Sequence, residues 1–229
     1  MKKLILTICF ITLATAGFAQ GTVIFGPNTP STIMRTNALA IGGTAGNTSP
    51  ALGGFYYEVI TAPSMTMSVD SSLQDLLSSP WSDTMLLGTN TTLLSGGRVN
   101  GGFDVVVNNW PAGPPAQTFT IVGWSAEEGS SWAQVSSRLY GASLVPYGGS
   151  FFWTGGSLVA GGYLGATTVQ AASAGTIFNP FSLFGAVANG QGTPVTTPTD
   201  LYIVLAPEPA TITLTVLAAG ALLISRRRK

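Results

Sequence analysis

The sequence contains no histidine, and its single cysteine, Cys9, lies in the N-terminal apolar run. If that run is removed as a leader, the mature chain has no thiol. Ser-His-Asp and Cys-His catalysis and histidine- or thiolate-held metals are then excluded, and so is a disulfide. Cys9 does not read as a lipoprotein cysteine, because the bulky Ile8 precedes it. Charge is scarce too: 8% of the 229 residues are charged, against about 25% in an average chain. Between residues 20 and 206 the basic side chains are Arg35, Arg98 and Arg138, set against eight acids, a net charge of about −5. Such a body has no electrostatic footprint for nucleic acid, and none is expected as a partner. A G-x-S-x-G elbow, a Walker loop and a G-x-G-x-x-G fingerprint are all missing. No cofactor is expected.

Hydrophobicity is not scarce. Apolar residues make up 45% of the chain, so low charge here does not mean disorder. The middle segment can bury a core under a surface of Ser, Thr, Asn, Gln and Gly, which suits an extracellular setting. The other basic residues cluster at the two ends. Lys2 and Lys3, the apolar run Leu4 to Ala16 and the small residues Gly17 and Ala19 have the order of a secretory signal peptide. Cleavage between Ala19 and Gln20 is expected. A retained transmembrane helix is the alternative, disfavoured because the run is short and ends in a cleavable pattern.

At the other end, Pro207-Glu208-Pro209 precedes Ala210 to Ser225, a stretch without charge, and then Arg226, Arg227, Arg228 and Lys229. Pro209 suits a first helical turn and Glu208 suits the positive end of a helix dipole. As a helix the apolar stretch reaches about 24 Å at 1.5 Å per residue, a marginal span for a hydrocarbon core of about 30 Å. The basic cluster should stay on the cytoplasmic side, beside anionic lipid. The order Pro-Glu-Pro, apolar helix, basic terminus, together with a signal peptide, resembles the PEP-CTERM sorting signal over residues 207–229. The resemblance implies recognition by an exosortase, with Pro207, Glu208 and Pro209 as the motif, and cleavage near it. It also implies a transient anchor at about 210–225 and delivery to the cell surface or extracellular matrix. It implies nothing about the activity of the ectodomain.

From Gln20 to Ala206, short apolar runs are broken by Gly, Pro, Asn, Ser and Thr, the punctuation of an all-β domain. Strands are predicted at 22–25, 55–61, 85–87, 103–107, 118–124, 151–153, 182–187 and 201–205. Asn100-Gly101 predicts a two-residue hairpin. Helices are predicted at 72–79 and 127–140, the second with Trp132, Val135 and Leu139 on one stripe. No fixed-period repeat is present. The expected fold is a single, mostly antiparallel β-sandwich at 20–206 with two short helices, followed by the C-terminal transmembrane helix. Tyr57, Val59, Phe103, Val105, Phe119 and Trp124 are its expected core. The glycine-dense segment 144–170 reads as irregular. Leu201 to Leu205 reads as a strand, with continuation into the membrane helix opposed by Pro207 and Pro209.

For chemistry, only carboxylates remain. Glu58, Asp75 and Asp104 are candidates for pairing through the fold, as a glycosidase would require. Glu127 and Glu128 are adjacent, so on a helix they point about 100° apart. Solvated or turn-capping roles are the plainer expectation for all five. Gly96 to Asp104 faintly resembles a calcium-binding nonapeptide, without its repetition. Trp110, beside Asn108, Asn109 and a Pro-rich stretch, is the best candidate for stacking on a sugar. A non-enzymatic surface or matrix protein is therefore the first expectation. A module binding exopolysaccharide is the second, and a carboxylate-dependent glycosidase the third.

Overall fold

A computed structural model describes residues 20–64, 68–92, 95–185 and 191–206. The leader with Ala19, the motif Pro207 to Pro209, the expected membrane helix and the basic cluster lie outside these residues. Among the described residues, no helix is long and apolar enough to cross a membrane. The body is mostly β, 49% strand, in a curled mixed sheet with one α-helix.

The centre is built on β4 (Phe55–Pro63) and β8 (Gln117–Ser125), paired antiparallel along their length. Both are buried on two faces, so their sequences run as near-continuous apolar stretches instead of alternating. Outward from β4 come β5 (Ser82–Asn90) and β6 (Val99–Asn100); outward from β8 come β11 (Tyr163–Ala166), β14 (Thr199–Ile203), β2 (Met34–Asn37) and β3 (Ala45–Asn47). β12 (Gln170–Ala172) pairs with the start of β8. A second sheet contains β1 (Gln20–Phe25) between β7 (Gly102–Pro111) and β13 (Phe181–Ser182). β9 (Ala142–Tyr147) and β10 (Ser150–Gly155) form a separate hairpin. Pairing is not uniformly antiparallel: β14 runs parallel to β2, and β13 parallel to β1. Long intervening chain makes both parallel pairs possible.

Two apolar cores lie on the two faces of β4 and β8. On one, Val23 and Phe25 of β1 and Val107 and Trp110 of β7 meet Tyr57, Val59, Phe119 and Ile121. On the other, α1 (Trp132–Leu139) packs Trp132, Val135 and Leu139 against Ile60, Val122, Trp124 and Leu164. Burying those three helical side chains contributes about 1.5–3 kcal/mol each.

Several expectations are corrected. The helix at 127–140 is interrupted: a 3-10 turn spans Ala126–Glu128, Gly129 adopts φ +127°, and α1 starts at Trp132. The helix at 72–79 contracts to a 3-10 turn, Gln74–Leu77, and Asp70 rather than Ser72 accepts the Gln74 N–H. Asn100-Gly101 is no hairpin. β6 pairs with β5, whereas β7 begins opposite Phe25, so the chain changes sheets there. Gly101 lies flat on the Phe25 ring, where a Cβ would overlap it, and donates its N–H to the Phe25 carbonyl at 2.7 Å. Phe103 is exposed, not core, although Val105 is partly buried. Asp104 between them has φ +53°, which breaks the period-two alternation. Residues 144–170 are not irregular throughout. Gly148 and Gly149, both at positive φ, close the β9–β10 hairpin as a tight two-residue turn. Of the strand at 182–187, β13 covers residue 182, and 186–187 lie outside the described residues. Leu201 is in a strand, inside the sheet.

Candidate functional site

β5 carries two more residues than β4 between shared register points: Glu58 faces Leu87, yet Ile60 faces Asp83. The bulge is held by Thr84 Oγ1, which donates to the Val59 carbonyl at 2.5 Å, and by Met85, which sits at φ +58°. It brings Asp83 across from Ile60, close enough for its carboxyl to act on that of Glu58. Glu58 is 4% exposed, and its Oε2 accepts the Trp132 N–H at 3.1 Å. That N–H is an orphan of the first helical turn, and Ser131 supplies no side-chain cap. Glu58 therefore caps α1 from the sheet. Burial, then the neighbouring Asp83, pushes its carboxyl up to about 8.

The other acids have different duties. Glu128 is fully buried and accepts the Val159 N–H at 2.9 Å, with the Arg138 guanidinium 3.7 Å away. Burial raises its carboxyl above the ordinary range, against the lowering by those two donors. Glu127 is exposed, and its backbone carbonyl accepts from Arg138 at 2.7 Å. Asp75 accepts the Asp70 N–H at 2.9 Å, in a turn. Asp104 stands exposed on β7. The fold thus does not pair Glu58 with Asp75 or Asp104. Its partner is Asp83, which sequence reasoning missed because only the bulge brings it round. Among the described residues, no three acids or other ligating side chains gather in a metal-holding group.

Trp110 is not on the surface. It is 1% exposed, tilted against Phe119 and edge-on to Phe181, and donates Nε1–H to the Ala172 carbonyl at 3.2 Å. The other tryptophans, Trp81, Trp124, Trp132 and Trp153, are buried as well. Gln20, the expected new N-terminus, is exposed at the start of β1, opposite Pro111.

Among the open features of the described residues is a groove of about 550 Å³ lined by Gln20, Thr22, Val106, Ala112, Ile177 and Phe178, and two others lie elsewhere on the body. One is a cleft of about 460 Å³, lined by Asp70, Thr167, Thr168, Asp200 and Tyr202 among others, with Leu144 and Trp153 at its wall. Its carboxylates are already engaged: Asp200 accepts from Arg35 at 2.8 Å and Asn37 at 3.1 Å, and Asp70 from Ser72 at 2.6 Å and Gln74 at 2.9 Å. The other is a groove of about 590 Å³ where the described chain ends, lined by Ala40, Ile41, Gly42, Tyr147, Phe152 and Leu205. No family model, no curated protein and no solved structure matches the chain.

Proposed function

We propose that the chain is an exported, non-enzymatic surface or matrix protein, sorted by its tail. The carrying observation is the sequence of three parts in the tail: Pro207-Glu208-Pro209, sixteen uncharged residues, then Arg226 to Lys229. An exosortase is the processing partner, and the membrane holds the chain through about 210–225 until processing. Where β14 ends supports this reading. Among the described residues, Leu205 is the last one bonded into the body, through its N–H to the Trp153 carbonyl at 2.9 Å. The motif begins two residues later in the sequence, beyond the end of β14 at Ile203. The weakly charged, hydroxyl-rich surface is consistent with export, and the packing of β1, β7 and β13 on the large sheet fits a sandwich-like body. The carboxyls of Glu58, Glu128, Asp70, Asp75 and Asp200 are engaged by structural partners, which is consistent with a role without catalysis.

The test is the intact mass of protein recovered from the cell surface or culture fluid of an exporting host. The expected mass lacks residues 1–19 and the basic terminus, and Glu208→Ala abolishes tail removal. Unchanged tail removal in Glu208→Ala would overturn this proposal.

A second reading, exopolysaccharide binding, is favoured by the hydroxyl- and carboxylate-lined cleft beside Tyr202, and no longer by Trp110. Titration with the host's own exopolysaccharide, wild type against Thr168→Val, tests it. Equal and negligible heats dismiss it.

A further inference from the structure

We propose that the face carrying Leu39, Ile41, Tyr147, Phe152 and Leu205 is a membrane-contact surface, seated at the lipid–water interface while the tail holds the chain. The inference rests on the anchoring read above and adds what that reading leaves open: how the body sits on the bilayer.

Three observations carry it. The first is exposure of apolar and aromatic groups in one place. Leu39 is 51% exposed, Ile41 49% and Tyr147 64%, and Ile41, Tyr147, Phe152 and Leu205 line one groove. Exposed apolar patches of this kind mark contact sites. Tyr and Phe rings are at home where water meets acyl chain.

The second is rigidity. The turn Leu39–Ile41 is closed by Gly42 at φ +73°. The β9–β10 hairpin is pinned to it by Ser150 Oγ, which meets Asn37 Oδ1 at 2.9 Å, and the same Asn37 oxygen accepts the Leu39 N–H at 3.1 Å. Tyr147 and Phe152 lie edge to face, their ring centres 6.2 Å apart. The patch is a fixed platform.

The third is reach. Leu205 lines the groove, and the uncharged stretch begins at Ala210. Five residue steps extend at most about 17 Å. A tail inserted in a bilayer must therefore hold this face within that distance of the hydrocarbon. The tail itself is a poor occupant for the groove. Folded as the expected helix, its sixteen residues would be about 24 Å long and 10–12 Å wide and would fill roughly 2,000 Å³, several times the groove's volume of about 590 Å³. Among the described residues, no charged side chain lines the groove. Contact is therefore apolar and aromatic, and insensitive to salt.

The body provides its own control. Ile177 and Phe178, in a turn closed by Thr176 and Asn179, are at least as exposed and line a groove of about 550 Å³ with Val106 and Gln20, so apolar exposure alone does not separate the two faces and only the reach of the tail does. This turn follows β12, which pairs at the Gln117 end of β8, whereas Tyr163, the partner of Ile203, is held at the Ser125 end. Nine strand residues, about 27 Å, separate the two ends of β8.

The experiment uses the full chain with Cys9→Ser, extracted from host membranes and reconstituted in phosphatidylethanolamine–phosphatidylglycerol vesicles. A polarity-sensitive fluorophore is attached at Ile41→Cys, Tyr147→Cys or Phe178→Cys. Flotation reports anchoring, and lipids spin-labelled near the headgroup report contact. The expected result is flotation, quenching of about twofold or more at 41 and 147 and little at 178, for groups seated about 5–10 Å into the interface. Flotation with all three labels open to aqueous iodide would overturn the proposal and leave the anchor standing. A shielded but unquenched label at 41 or 147 would assign the groove to protein, the tail included, and overturn it as well. Equal quenching at 178 would also overturn it, by pointing to the Gln20 end. Failure to float overturns the anchoring reading, and this proposal with it.

Discussion

Replacing Glu58 with Gln tests the assignment of Glu58 as a buried, protonated cap. In the folded chain burial and Asp83 push the Glu58 carboxyl up to about 8, from an ordinary value of 4.5. Between those values the folded protein keeps a proton that the unfolded chain has released. The unfolded state binds fewer protons there, so stability falls as pH rises from about 4.5 to about 8. The full slope of one such group is about 1.4 kcal/mol per pH unit. The pair is not wholly dry, and solvent screening cuts this, so a net loss of about 1–3 kcal/mol over the window is the reasonable expectation. Gln keeps an oxygen for the Trp132 N–H and an N–H for Asp83, so it imitates the protonated acid. Glu58→Gln should match the wild type at pH 4.5 and exceed it at pH 8, with a flatter profile. Glu58→Leu should be destabilised at both, because the Trp132 N–H loses its acceptor, by about 1–3 kcal/mol. Urea unfolding followed by tryptophan fluorescence at pH 4.5, 6.5 and 8 measures all three. Parallel profiles for wild type and Glu58→Gln would refute the assignment.

Gly101→Ala places a methyl group on the Phe25 ring. It should cost about 1–3 kcal/mol, seen as a lower thermal midpoint. Trp110→Ala should cost about 3–5 kcal/mol by opening a core cavity without changing polysaccharide retention, whereas a loss of retention in a still-folded variant would return Trp110 to a binding role. In the Gly148-Gly149 turn, Gly148→Val should destabilise by about 1–3 kcal/mol because φ there is +58°. Gly148→Asn should stay within about 0.5 kcal/mol, and equal melting of the two would argue against the tight turn.

The sequence by itself determined what depends on local or compositional physics. The lack of histidine excluded whole classes of catalysis, because no fold can supply a missing side chain. Phe55 to Thr61 announced a strand as a short apolar run bounded by turn residues, and Trp132, Val135 and Leu139 announced a helical stripe because one buried face imposes a period on the residues that fill it. The Gly148-Gly149 turn was not read from the sequence, because the glycine density of 144–170 made the whole segment look irregular, although two successive glycines tolerate the positive φ it needs. Tertiary structure alone decided which acids meet. Asp83 reaches Glu58 through two extra residues in β5, a register effect with no signature in Asp83's neighbours. Phe103 was turned out of the core by a left-handed Asp104, and Trp110 was drawn into it by a partner strand about sixty residues on. The apolar face beside Leu205 likewise exists only once residues 39–41, 147, 152 and 205 converge, and nothing local in four separated segments predicts that they will.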